Sequence, residues 1–185
     1  MTGAEYAATV AEYVVRRFAG RDLKVYREVK VGKTIIGKNR SIDVFCVCAR
    51  TNQAFAIECK YQDSQGTVDE KIPYALDDLK ALPMAACIAY AGEGFSGGVL
   101  HMLQASPQAA YCLPVPSASR TDTRELDQLL AAHFGWWDVL VENKPPVQID
   151  SRSAAVAEQP TLLADEQPVW SAPSRAQGKP APTEG

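Results

Sequence analysis

Histidine is nearly missing from this chain of 185 residues: only His101 and His133 occur, and neither has a neighbour at ligand spacing. That scarcity argues against a histidine-rich zinc site and against an imidazole-based catalytic centre. Long apolar runs are missing too. The longest uncharged one, from Met84 to Gly92, falls far short of the ~20 residues that span a bilayer. The N-terminus carries Glu5 and Glu12 where a secretion signal needs basic and then apolar residues. There is no C-x-x-C pair, and the five cysteines (Cys46, Cys48, Cys59, Cys87, Cys112) sit inside apolar stretches. They read as small buried hydrophobes, and their odd number fits a reducing compartment better than a disulfide frame. The expectation is a soluble, cytoplasmic protein with no membrane partner. Its chemistry must come from carboxylates and lysine.

What is present suffices for one packed domain: 46% of the residues are hydrophobic. The net charge is −3, but it is unevenly spread. Between Arg16 and Arg40 stand nine basic residues (Arg16, Arg17, Arg21, Lys24, Arg27, Lys30, Lys33, Lys38, Arg40) against two acids, Asp22 and Glu28. An acidic whole does not exclude a polyanionic partner, because binding follows the local field of one face. The same lysines also suit the edge of a sheet, where charge blocks pairing with another chain. From Asn143 onward the chain holds seven of its twelve prolines among scattered Ala, Ser, Gln and Glu. Such a segment buries too little apolar surface to offset chain entropy. The expected division is a folded domain over 1–141 and a disordered tail over 142–185, with Trp170 its one candidate anchor for a protein partner.

Within the domain the hydrophobic period switches in a readable order. Tyr6, Val10, Tyr13, Val14 and Phe18 recur at helical spacing from Thr2 to Phe18. Leu23 to Thr34 alternates apolar and charged residues, as a half-exposed strand does. The turn at Gly37-Lys38-Asn39 leads into two denser runs, Ile42–Cys48 and Ala54–Tyr61, which suit strands covered on both faces. Thr67 and Glu70 have capping-box spacing, and Ile72, Ala75, Leu76 and Leu79 supply the apolar stripe of a second helix ending before Pro83. A fourth strand over Met84–Ala91, a short helix over Gly98–Gln104, a strand over Ala109–Val115, a helix over Thr123–Phe134 and a last apolar piece over Trp136–Val141 follow. The order α-β-β-β-α-β, then α-β-α, specifies an α/β fold with a mixed central sheet flanked by helices.

Three ionisable groups interrupt the two densest strands: Asp43, Glu58 and Lys60. Glu58 and Lys60 are two apart and share a face, with Cys59 on the other. Burying such groups is costly unless they are paired or bind a metal. Two neighbouring carboxylates point to a divalent cation with oxygen ligands, Mg²⁺ in the first place, and a lysine beside it can orient a water or neutralise a phosphoryl group. A plain ion pair of Lys60 with Asp43 or Glu58 is the competing reading.

Asp43 followed by Glu58-Cys59-Lys60, behind a helix carrying Glu12 and within α-β-β-β-α-β order, resembles the PD-(D/E)XK nuclease superfamily, the restriction-endonuclease-like fold. Ile42 stands where the name has proline. The run Glu58–Gln62 and the stretch from Gly66 to Tyr74 are similar to restriction-type or phage-encoded members. The resemblance implies that Asp43 and Glu58 ligate the metal, Mg²⁺ or Mn²⁺ in its place. Glu12 would complete the acidic cluster with Glu5 as its rival, and Lys60 would assist the nucleophilic water. Gln62, on the face of Glu58 and Lys60, becomes a candidate for the scissile phosphate. Lys33, Lys38, Asn39, Arg40 and Lys71 become candidates for the DNA backbone, with Tyr74 beside Lys71. The implied activity is Mg²⁺-dependent cleavage of DNA by an endonuclease, possible as a homodimer. A junction resolvase or repair nuclease of the same fold, or a non-catalytic DNA-binding or scaffold protein, are its rivals. Gly92-Glu-Gly94-Phe-Ser-Gly97 fits the dinucleotide pattern G-x-G-x-x-G but lacks an acidic strand end about twenty residues on, and reads as a loop. Trp136-Trp137 reads as a core or interface anchor.

Overall fold

In the computed structural model, which describes residues 1–64, 68–114 and 122–148, the sequence order is realised element by element. Helix α1 covers Gly3–Arg17, and strands β1, β2 and β3 cover Leu23–Lys33, Asn39–Cys48 and Ala54–Tyr61. Helix α2 spans Val68–Lys80, β4 Ala85–Ala91, α3 Gly97–Ala105, β5 Ala109–Tyr111, α4 Arg124–Phe134 and α5 Trp137–Leu140. The strands form one sheet in the order β1-β2-β3-β4-β5. The first three pair as an antiparallel meander, whereas β4 joins β3, and β5 joins β4, in parallel. The α/β class and the mixed sheet are therefore as expected. Strand β2 starts three residues earlier than the apolar run suggests, because Asn39–Ser41 continue the pairing with β1. Thr67, the expected cap of α2, Val115 at the expected end of β5 and Trp170 in the tail lie outside the described residues. Residues 142–148 contain no helix or strand.

The sheet is covered on both faces. Against one face α1 and α4 bury Tyr6, Val10, Val14, Leu126 and Leu130 over Val44, Cys46, Ile57, Cys59 and Cys87. All five cysteines belong to this layer, buried and unbridged. Helix α1 is started by a capping box in which Thr2 and Glu5 exchange hydrogen bonds. It is tied to α4 by the Asp127 carboxylate, which accepts from Tyr13 Oη at 2.7 Å and Arg17 Nε at 2.8 Å. Against the other face α2 and α3 bury Ile72, Leu76, Leu79 and Leu103 over Ile42, Ala56 and Ile88.

Two further ties shape the second face. The first is a buried ion pair between the β1–β2 hairpin and α2. Arg40, 7% exposed, donates through Nε to Asp78 Oδ2 at 2.9 Å and through Nη2 to Asp78 Oδ1 at 2.7 Å and to the Asp78 carbonyl at 3.1 Å. The Ile35 N–H adds a fourth bond to Asp78 Oδ1, at 2.8 Å. The second tie joins the end of β3 to the loop after β4. Gln62 N–H donates to Ala91 O, Gly94 N–H donates to Gln62 O, and Gln62 Nε2 donates to Gly94 O at 2.6 Å and Asp69 Oδ1 at 3.1 Å. The backbones approach so closely that a Cβ on Gly92 (φ +107°) would stand 2.1 Å from the Gln62 carbonyl oxygen, and one on Gly94 2.5 Å from Ser64 backbone atoms. The G-x-G-x-x-G run is thus a packing loop, as expected: Gly92 and Gly94 admit the segment that follows β3, and Asp69 Oδ2 takes the Ser96 N–H beside the start of α3.

Two stability outcomes follow. Replacing Asp78 by Asn strands the Arg40 charge in the interior and should cost on the order of 3–5 kcal/mol, read from denaturant unfolding at neutral pH. Burial alone would raise the Asp78 carboxyl, but hydrogen bonds from Arg40 and Ile35 and the Arg40 charge hold it below the ordinary carboxylate range. A depressed group stabilises above its unfolded pKa and loses that contribution as pH falls through the folded one. The gap between wild type and Asp78→Asn should therefore narrow in acid. Replacing Gly92 by Ala, at a positive φ and against backbone, should cost more than about 1 kcal/mol in the same measurement.

Candidate active site

The described pairing of β2 with β3 runs from Val47↔Ala54 to Val44↔Ile57. One residue further along β2, the side chain of Asp43 takes over from the backbone. Its Oδ2 accepts the Cys59 N–H at 2.8 Å, so a carboxylate stands where the next ladder bond would fall. Asp43 is thereby fixed beside the stretch of β3 that carries Glu58 and Lys60. β1 has an irregularity at the same level. Glu28 adopts φ +55°, while the register itself keeps its offset from Arg27↔Val44 to Val29↔Ile42 and shifts further on, between Lys30 and Lys33. Val25 packs toward the α1 face and Val31 toward the α2 face, and on β2 the switch from Val44 to Ile42 repeats this change of side. The twist lets the far half of the hairpin fold over α2 as a wall.

Between that wall, β3 and α2 lies a cleft of about 370 Å³. Thr34, Asn39, Arg40, Ser41 and Ile42 line it from the hairpin, Glu58 and Lys60 from β3, and Lys71, Tyr74, Ala75, Asp78 and Leu79 from α2. Lys60 Nζ donates to Glu58 Oε1 at 2.7 Å, and both side chains are partly buried. Burial raises the Glu58 carboxyl above its ordinary value; Lys60 pulls it back down, and Asp43 and Asp78 push it up again. A carboxylate that burial disfavours, with a second one near, gains from any added cation. Tyr74 Oη is buried in this cleft with no hydrogen-bond partner among the described residues. Sequence reasoning gave that phenol only a passing place beside Lys71; its α2 position three residues after Lys71 puts both toward the cleft.

Of the strand constellation, Glu58 and Lys60 line the cleft as an ion pair, the competing explanation for them. Asp43, held on the Cys59 N–H, is not among the lining residues but stands near enough for its charge to raise the Glu58 carboxyl. Lys71 and Asn39 also line the cleft, and Lys33 and Lys38 stand exposed on the hairpin beside it. Four other expected site residues, Glu12, Glu5, Arg40 and Gln62, are engaged differently. Glu12 is exposed on α1, which packs on the opposite face of the sheet from Glu58 and Lys60, and it pairs with Arg16 at 2.8 Å. Its rival Glu5 is engaged in the capping box with Thr2. Arg40 lines the cleft, but its guanidinium is buried on Asp78 and not displayed on the surface. Gln62 shares the face of Glu58 and Lys60 by alternation, yet the loop after β4 closes over it; at 5% exposure it is an internal strut.

The donor set can be tested against the metal that the constellation suggests. Among the described residues no three His, Cys, Asp or Glu side chains converge as a cage. Asp43 stands near enough to Glu58 for its charge to raise the Glu58 carboxyl, and two oxygen donors fit Mg²⁺, which is commonly held by one or two carboxylates and keeps several waters or substrate oxygens. It does not fit zinc, which wants a fuller set of nitrogen or sulfur ligands.

Among solved structures, the crystal structure of a repair endonuclease from Pyrococcus abyssi matches at 14% sequence identity, covering 56% of this chain and 43% of that one, with a TM-score of 0.33. This chain thus spans less than half of that protein. No curated protein sequence matches significantly. A family model for the PD-(D/E)XK nuclease superfamily domain matches residues 2–137, which takes in every element from α1 through α4 and the first residue of α5. The chain belongs to the PD-(D/E)XK nuclease superfamily.

Proposed function

We propose that this domain is a Mg²⁺-dependent deoxyribonuclease that cuts phosphodiester bonds within DNA. The observation that carries the reading is the Glu58–Lys60 pair lining a cleft with a lysine-rich rim, with Asp43 fixed on the backbone of Cys59, between them in sequence, and its charge acting on Glu58. Asp43 and Glu58 are the residues to hold the metal, which when bound acidifies water and offsets negative charge on a phosphate. Asp43 keeps its place through the Cys59 N–H, and its other oxygen accepts no hydrogen bond among the described residues. Lys60 has three N–H donors. One is on Glu58, which leaves two for an attacking water and a non-bridging phosphate oxygen. Lys71 and Tyr74 face the same space from α2 and are placed to hold the phosphate on its other side. The carboxylates alone would repel DNA; Lys33, Lys38 and Lys71 around the cleft supply the opposing field.

Cleavage of supercoiled plasmid tests the reading. Nicking with Mg²⁺ or Mn²⁺, none with EDTA, and a fall of at least about a hundredfold in both Asp43→Asn and Lys60→Ala is expected. Uncut plasmid with every metal, from protein that still binds DNA, would turn the assignment to a non-catalytic binding module. Mn²⁺ affinity by calorimetry should begin to fall, on lowering the pH, above the range where an ordinary glutamate protonates, since only ionised Glu58 binds and its carboxyl is raised.

A further inference from the structure

The tip of the β1–β2 hairpin breaks a local rule. Its turn is Thr34-Ile35-Ile36-Gly37, closed by Gly37 N–H donating to Thr34 O at 2.8 Å. The two central positions of such a turn favour Pro, Asp, Asn, Ser or Gly. Here they hold two β-branched aliphatics, Ile35 at 51% and Ile36 at 60% exposure. A chain that puts its apolar residues into water at a loop tip departs from its own folding logic, and such departures mark functional positions. The tip is also held rigidly. The Ile35 N–H is fixed to Asp78, Thr34 N–H donates to Lys38 O, and Lys38 N–H donates to Thr34 Oγ1. Isoleucine itself is stiff at χ1.

Its surroundings select the partner. From Val29 to Ile42 the hairpin contains no acid, and Lys30, Lys33 and Lys38 are exposed around the tip. Thr34, next to Ile35, already lines the cleft of Glu58 and Lys60, so a polyanion lying in that cleft passes the tip. An apolar point with flanking cations beside a phosphate-cutting site matches a DNA base step, which has an apolar interior between two phosphate rails. We infer that Ile35 and Ile36 form a wedge that enters the base stack of duplex DNA beside the cleft, opening one step while Lys33 and Lys38 hold the neighbouring phosphates. This rests on the nuclease reading for the position of the cleft. Apolar wedges of this kind unstack a step at a cost of a few kcal/mol, recovered in contacts to the bent duplex. The rigid Asp78 anchor is what lets the tip transmit that load instead of folding aside.

The test uses the full chain carrying Asp43→Asn, in EDTA, on duplexes with 2-aminopurine tiled along one strand. Wild-type tip should raise fluorescence several-fold at one position at saturation. Ile35→Ser with Ile36→Ser should abolish that rise while weakening binding by less than about tenfold; Ile35→Leu with Ile36→Leu should keep it. Lys33→Gln with Lys38→Gln should weaken binding and reduce the slope of log K against log salt by about two. A flat signal at every position, an equal rise with the serine tip, or no DNA binding would overturn the wedge. So would tip-dependent binding to phosphatidylserine vesicles with no response on DNA. Because nothing is cut in this experiment, its outcome is independent of the plasmid assay: a chain that opens DNA but never cleaves it sinks the nuclease and leaves the wedge.

Discussion

Everything at the site depends on one buried ion pair, that of Arg40 with Asp78. A guanidinium and a carboxylate withdrawn from water give back their desolvation cost only when geometry and hydrogen bonding are nearly complete. Here the carboxylate accepts from the guanidinium at both oxygens and from the Ile35 backbone as well. That bonding sets the distance between the β1–β2 hairpin and α2. Without it the cleft has one wall. The pair also sets the Arg40 charge against that of Asp78, an α2 acid that acts on Glu58, so that Asp43 and Glu58 are the candidate-site carboxylates without a buried arginine.

The second constraint is where the sheet stops being regular. Strands β2 and β3 pair normally up to Val44 and Ile57, and the Asp43 side chain then replaces a backbone acceptor. A chemical group is placed by ending a ladder one residue early. Across β2, the left-handed Glu28 turns β1 over at the same level, so sheet and hairpin wall are made from the same two strands without a loop between them. The candidate residue Asp43 thus stands where the strand changes which layer it packs against, a point at which packing alone no longer dictates the side chain.

Much of this was legible in sequence. Elements declared by period alone, α1, β3 and α4 for example, appear within a residue or two, since each buries a stripe that its own spacing defines. Asp43, Glu58 and Lys60 stood out because charge inside apolar strands is conspicuous wherever it is. What failed to be legible concerns partners far away in the chain. Arg40 reads as a surface cation until Asp78, on another element, is brought to it; its alternation with buried Ile42 was the available sign that it faces inward. Glu12 falls outside the stripe of Tyr6, Val10, Tyr13 and Val14, and its spacing to Arg16 is that of an exposed helix pair. For Gln62 the face was read correctly, but strand parity does not reveal what lies over that face. The glycines at 92 and 94 carried that information, since a loop with two side chains missing invites a backbone to approach.

The sulfur layer described in the fold has a consequence for observing this molecule. All five thiols lie between the sheet and the α1–α4 cover, on the side away from Glu58 and Lys60. A maleimide or disulfide reagent reaches Cys46, Cys59, Cys87 and Cys112 only when that cover opens, so their labelling is gated by a breathing event and not by surface chemistry. The protein therefore carries an intrinsic clock for the fluctuations of one layer, which can be read while the opposite layer is occupied by whatever it binds.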